Sequence, residues 1–210
     1  ADVTNPLGVG SLEGDGYGIG ANATWTGGSG SYLDMQAQAN WISAGFATNT
    51  AGTLASDADM SGYALSIEAG HAFALGPNQS LTPQIQLAWG GIDGASFIDQ
   101  QSSAVDLHDP HRVIGRIGLA YDFATAGADK GSRFYAVGNI LHDFSGTRTV
   151  DVGGTAVTSG NGGTWAEIGL GGAVEFGAGA GLYAEGAYRT ALSGGSRSAY
   201  SLSLGFRKSF

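Results

Sequence analysis

The last eleven residues, Tyr200 to Phe210, constrain the fold most; they read YSLSLGFRKSF. Side chains of an extended chain point alternately to opposite sides. As a strand, the stretch puts Tyr200, Leu202, Leu204, Phe206 and Phe210 on one face and Ser201, Ser203, Gly205, Arg207 and Ser209 on the other. No helix would separate these residues so cleanly. A tilted strand of roughly 9–11 residues is long enough to cross a bilayer. Nowhere among the 210 residues is there an apolar run long enough for a transmembrane helix.

The same period recurs upstream, and it predicts nine strands in all. The first, from Gly16 to Thr26, sets Tyr17, Ile19 and Trp25 against Gly18, Gly20 and Asn22. The second, from Ser31, sets Leu33, Met35 and Trp41 against Asp34, Gln36 and Gln38. Further strands fall near 62–74, 80–90, 112–123, 133–144, 165–176 and 181–190, ahead of the terminal one. An aromatic sits near an end of the apolar face in most of them. Trp25, Trp41, Trp89, Phe123, Phe144, Phe176 and Tyr188 are therefore candidates for interfacial girdles.

The connections alternate in length. Those at 27–30, 76–79 and 177–179 are short, and those at 44–60, 91–111 and 145–164 are long. A medium turn at 124–131 and a short loop at 193–198 blur the rule. Transmembrane barrels of bacterial outer membranes put short turns on the periplasmic side and long loops outside. Counting back from a periplasmic C-terminus puts every long loop outside, together with residues 1–14.

Periodicity alone also fits a soluble sandwich, whose strands are apolar toward a second sheet. The distribution of charge favours a barrel. Charged residues make up only 13% of the chain, about half the usual share of a soluble domain. Most strand charges lie opposite the aromatics: Arg112, Arg116, Glu167, Glu175, Glu185, Arg189 and Arg207 are candidates to line a lumen. A basic side chain at the bilayer midplane costs about 2–4 kcal/mol, which explains their absence from the other face. Lys208 is the exception, near enough to the end to snorkel to the interface. The expected fold is all-β, a transmembrane antiparallel up-and-down β-barrel. The net charge of −9 argues against nucleic acid, and the absence of cysteine excludes disulfides and thiolate metal sites.

Three segments resemble the C-terminal translocator of autotransporters, the type V secretion proteins: GYGIGANATWTGGSGSYLDMQAQAN at 16–40, TWAEIGLGGAVEF with LYAEGAYR between 164 and 189, and the terminal GFRKSF. The resemblance covers most of the chain and is strongest from about residue 164 onward. It implies a barrel of about 12 strands in the outer membrane of a Gram-negative bacterium. It also implies a helix or linker of the protein's own passenger in the lumen, and export of that N-terminal passenger to the cell surface. The implied partners are membrane lipid and the outer-membrane barrel assembly machinery. That machinery reads a glycine, hydrophobic positions and a terminal aromatic in the last strand; Gly205, Phe206 and Phe210 match, while Lys208 stands where the family usually has a hydrophobe.

Nine antiparallel strands would close with a parallel pair, whereas bacterial single-chain barrels have even numbers. Matched to the family, the nine correspond to the last nine of about 12. The expected division is 1–14 as an extracellular loop or linker remnant and 15–210 as the barrel, with the first strands and lumenal helix before residue 1. The alternative is a free-standing small barrel, a pore or surface adhesin.

Enzymatic readings find little support. The GxGxxA pattern at Gly18, Gly20 and Ala23 lies inside an alternating strand, where a dinucleotide site needs a following helix. His108 and His111 have no third ligand nearby in sequence, and His71 and His142 fall on apolar faces near strand ends. Glu167 and Glu185 on adjacent strands have the form of an acid/base pair, but lumenal arginines offer them simpler partners. No Asn-Asn linker for self-cleavage and no cofactor motif is present.

Overall fold

A computed structural model describes residues 2–4, 10–48, 52–93, 97–98, 104–108, 111–125, 131–146, 148–152, 154–159, 162–176, 179–194 and 197–208. Every regular element among them is a strand. In chain order these are β1 (Asp2–Thr4), β2 (Gly10–Thr26), β3 (Ser31–Thr48), β4 (Gly52–His71), β5 (Phe73–Gly76), β6 (Gln79–Asp93), β7 (Phe97–Ile98) and β8 (Ala104–His108). They continue as β9 (Arg112–Ala124), β10 (Ser132–Asp143), β11 (Arg148–Val152), β12 (Thr155–Ser159), β13 (Thr164–Phe176), β14 (Ala180–Ala191) and β15 (Ser198–Lys208).

The main sheet runs β1-β2-β3-β4-β6-β9-β10-β13-β14-β15, with β5 also on β6. Every pairing is antiparallel, and each long strand pairs with its predecessor along the chain, the up-and-down pattern. Nine of the strands are long, as the periodicity predicts. At one end tight turns join them: Gly27 N–H donates to the Ser31 carbonyl at 2.8 Å, and Gly30 adopts φ +94°, open to glycine without strain.

Register keeps the two faces apart across the sheet. Ile85 opposes Ile117, Ile117 opposes Ile140, Ile168 opposes Tyr188, and Tyr188 opposes Tyr200. These side chains are exposed, Ile168 at 64% and Tyr200 at 89%. On the reverse face Asn139 is 7% exposed, and the few buried apolar residues are small, apart from Leu141. Large apolar groups outside and buried polar groups inside invert the pattern of a soluble sandwich, whose apolar faces pack together. Lipid is the solvent that such a surface fits.

Three expectations need correction. The first long strand begins at Gly10, not Gly16, and Asp2–Thr4 pairs with it, so residues 1–14 are not simply loop. The stretch 44–60 is not a loop either: β3 and β4 stay paired to Thr48 opposite Gly52, with irregular register around Phe46. Loops 91–111 and 145–164 are long, but they contain strands. β12, β11, β8 and β7 form a separate four-stranded sheet. These strands are only two to five residues long, too short for a period of two to stand out in the sequence, although register sets Val150 opposite Leu107 and Val152 opposite Val105. Among the described residues, β15 pairs only with β14, and β2 beyond Glu13 pairs only with β3.

Candidate functional site: an ion-paired belt on the polar face

Neighbouring strands bring successive polar-face residues into lateral rows, and two adjacent rows make a continuous belt. Its centre is Arg116 on β9. The guanidinium donates to Glu68 Oε2 on β4 at 2.5 Å, Gln86 Oε1 on β6 at 2.8 Å and Asn139 Oδ1 on β10 at 3.0 Å. A weaker contact reaches Gln84 at 3.3 Å. Glu68 is also held by the Tyr32 hydroxyl of β3 at 2.6 Å, which in turn accepts from Gln84 Nε2 at 3.0 Å.

Asn139 passes the belt onward. Its amide donates to Glu167 Oε1 on β13 at 2.9 Å, and Arg189 on β14 donates to Glu167 Oε2 from Nε at 2.9 Å and from NH2 at 2.5 Å. A hydrogen-bonded path thus runs laterally from β3 to β14. Arg116 and Glu68 are 16% and 19% exposed, so their attraction is less screened than at a surface. No buried side-chain polar atom among the described residues lacks a partner.

Other pairs flank the belt. Arg112 binds Asp143 at 2.9 Å, Arg133 binds Asp122 at 2.7 Å, and Arg207 binds Glu175 at 2.6 Å. Glu185 accepts from the Tyr135 hydroxyl at 2.5 Å. Arg112, Arg116, Glu167, Glu175, Glu185, Arg189 and Arg207 therefore all stand on the face opposite the aromatics, each against a polar partner. Glu167 and Glu185 do not form an acid/base pair: Glu167 opposes Arg189 and Glu185 opposes Gly171, in different rows. Tyr32, Glu68 and Asn139 complete the belt and Tyr135 flanks it, and none of the four is among the lumen candidates that the sequence singles out. Strand parity puts each on the polar face, yet nothing local says which will meet an arginine several strands away.

Tyrosines on this face also roof over glycines of the next strand. The ring of Tyr135 occupies the space a Cβ on Gly171 would take, and Tyr183 does the same at Gly205. Gly205 therefore has a packing reason to be glycine. Phe206 lies outward opposite Leu182 and is 64% exposed. Phe210 lies outside the described residues. On the outer face Trp25, Phe123 and Phe176 mark the tight-turn end, while Trp41, Trp89, Phe144 and Tyr188 mark the opposite end. Tyr17 stacks on Trp41 with centroids 5.3 Å apart, and Tyr63 meets Trp89 edge-on at 5.2 Å.

The histidines join this rim. His71 accepts or donates with Ser31 at 2.8 Å beside Phe73, and His142 sits at 4.6 Å from the Phe144 ring. His111 bonds the Tyr63 hydroxyl at 2.8 Å; the side chain of His108 lies outside those described. No cluster with metal-ligating composition occurs among the described residues.

The family model of the autotransporter beta-domain matches residues 1–187. The chain belongs to the autotransporter family. It is 37% identical to the adhesin BmaC autotransporter of Brucella suis over 182 residues, which is 84% of this chain and 5% of that protein. It is 31% identical to the pertactin autotransporter of Bordetella parapertussis over 183 residues, covering 82% and 20% respectively. The chain thus spans a small part of the relatives it matches. Two solved autotransporter domains share its fold: the beta domain of Bordetella BrkA, with a TM-score of 0.67 at 23% identity over 100% of this chain and 78% of that one, and the transport unit of Escherichia coli AIDA-I, at 0.74 and 17% over 96% and 68%. As an autotransporter beta-domain, the chain is a β-barrel of the Gram-negative outer membrane, and the exposed Trp, Leu, Ile and Phe face is its lipid contact.

Proposed function

We propose that this domain anchors an N-terminal passenger in the outer membrane and exports it to the cell surface through a lumen lined by the ion-paired belt. One observation carries the reading. Among the described residues of its main strands, the sheet gathers the arginines as ion pairs on one face and shows large apolar side chains on the other. Paired charges leave a polar wall that a moving polypeptide wets without binding tightly. The mechanism is physical, a conduit rather than a reaction, and the domain acts as a secretion module and not as an enzyme.

Two further parts belong to the proposal. The lateral edges of β2 and β15 leave backbone groups that lipid does not satisfy. Strands outside the described residues pair with these edges and complete the barrel, so that the sheet from β1 to β15 acts as the larger part of the translocator domain. The aromatic rims and Gly205, Phe206 and Phe210 serve insertion, the last three as the mark read by the barrel assembly machinery.

An experiment tests the export reading directly. The full-length protein carries an epitope in the passenger, and protease added to intact cells reports its exposure. Deleting Phe210 is expected to lower folded, heat-modifiable barrel and surface epitope together, severalfold or more. Unchanged insertion and display after the deletion would remove the terminal strand as an assembly signal. Normal insertion with no passenger at the surface in the unaltered protein would remove export itself.

A further inference from the structure

Seven carboxylates share the polar face with five guanidiniums among the residues whose side chains are described. Each of these five strand guanidiniums sits in an ion pair. The remaining two carboxylates, Asp34 on β3 and Glu185 on β14, are held by neutral donors only. Asp34 accepts from Thr24 Oγ1 at 2.7 Å and from Gln36 Nε2 at 3.3 Å, and Glu185 accepts from Tyr135. A neutral donor satisfies a carboxylate's hydrogen bonding but leaves its charge standing.

We propose that the lumen passes cations in preference to anions, and that Asp34 and Glu185 set this preference. The inference rests on the reading of the polar face as a water-filled lumen. The five pairs act on a passing ion as dipoles whose fields fall off quickly. The two uncompensated carboxylates act as fixed charges, and a wall of low dielectric focuses their field along the path. On the polar face of the early strands the described carboxylates are Asp34 and the paired Glu68, and Glu185 lies on the late strands, so fixed negative charge is contributed by both parts of the wall. One unit charge about 10 Å from the path, in a water-like and partly screened medium, biases the cation-to-anion permeability ratio roughly twofold to threefold.

The test is single-channel recording of the complete mature protein in planar bilayers under a potassium chloride gradient. The reversal potential of the unaltered protein is expected to report potassium over chloride. The D34N/E185Q double variant is expected to lower the permeability ratio roughly fourfold or more at low salt, each single variant giving about half the effect on a logarithmic scale. R207Q, which strips Glu175 of its guanidinium, is expected to raise the ratio. All variants are first checked for heat-modifiable mobility on gels, so that a misfolded barrel is not scored. Chloride preference in the unaltered protein, or a ratio unmoved by the double variant, overturns the assignment while leaving a conducting lumen intact. An absence of conductance in the folded, unaltered protein overturns both the assignment and the water-filled lumen.

Discussion

The early and late strands build the same polar face in different ways. On β2 the inward positions Gly14, Gly16, Gly18 and Gly20 are glycines, and β3 answers with Gln36, Gln38 and Asn40. A cavity of about 610 Å³ lies over this part, lined by Gly20, Asn22, Gln36, Gln38, Ser66 and Arg112 among others. From β9 onward the face carries all five paired guanidiniums. The late half is filled by long side chains that bridge strands, and the early half is left open. Stability therefore resides in the late half's bridges, while space resides in the early half.

The largest expected effect falls where the two halves meet. Arg116 reaches back to Glu68 and Gln86 and forward to Asn139. Arg116→Ala leaves Glu68 with only a tyrosine hydroxyl and removes one donor from Asn139. The expected cost is about 3 kcal/mol, because a charge shielded from water loses its partner. Gln36→Ala on the open half removes a long, exposed contact to Asp34 at 3.3 Å and should cost under about 0.5 kcal/mol. Urea unfolding of the complete domain in lipid vesicles, followed by tryptophan emission, compares the two. Equal losses would mean that the belt is ornament and the halves do not differ.

A second contrast uses glycines. At Gly171 the Tyr135 ring already stands where a Cβ would go, so Gly171→Ala must push the ring from its hydrogen bond with Glu185. The expected loss is about 1–3 kcal/mol. At Gly20 the nearest atoms to a new Cβ are the Ala37 carbonyl oxygen at 3.4 Å and Gln38 Cβ at 3.6 Å, ordinary contacts. Gly20→Ala is expected to be neutral or stabilising by up to about 1 kcal/mol, since alanine gives up less chain entropy than glycine. The same unfolding assay checks both, and a neutral Gly171→Ala would show that the tyrosine roof moves freely.

Much of this architecture is legible in the chain because lipid imposes a rule with period two. Tyr17, Ile117, Ile168 and Leu204 each announce their face, and the tight turns announce the strand ends. Legibility stops where hydrocarbon stops. Where β3 and β4 run on toward Thr48 and Gly52, the positions in line with Trp41 and Tyr63 turn polar, at Ser43, Ser61 and Asp59, so the alternation that marks the strands fades there. The strands at Ala104–His108 and Arg148–Val152 are hidden by their length, five residues each, which is too short to show a period. The belt was half visible. Parity places Arg116 and Glu167 on the polar face, but a pairing such as Glu68 with Arg116, 48 residues apart, depends on register across several strands. The family resemblance, legible over most of the chain, agrees with the family model's match over residues 1–187.

The smallest effect separates pairs within the late half itself. Arg207 binds Glu175 at 2.6 Å, nearly as closely as Arg189 binds Glu167 at 2.5 Å, but its side chain is 68% exposed and it sits near the end of β15. Exposed pairs contribute about 0–1 kcal/mol, and salt screens them within roughly a Debye length. Arg207→Gln is expected to cost less than about 0.5 kcal/mol at 0.15 M salt, and the difference should vanish near 1 M. The loss in Arg116→Ala should persist across the same range, because water and ions reach Glu68 poorly. Unfolding midpoints at several salt concentrations separate the two behaviours. Should both losses fade together with salt, the centre of the belt is as wet as its end, and the late half gains its stability from backbone pairing and the tyrosine roofs instead.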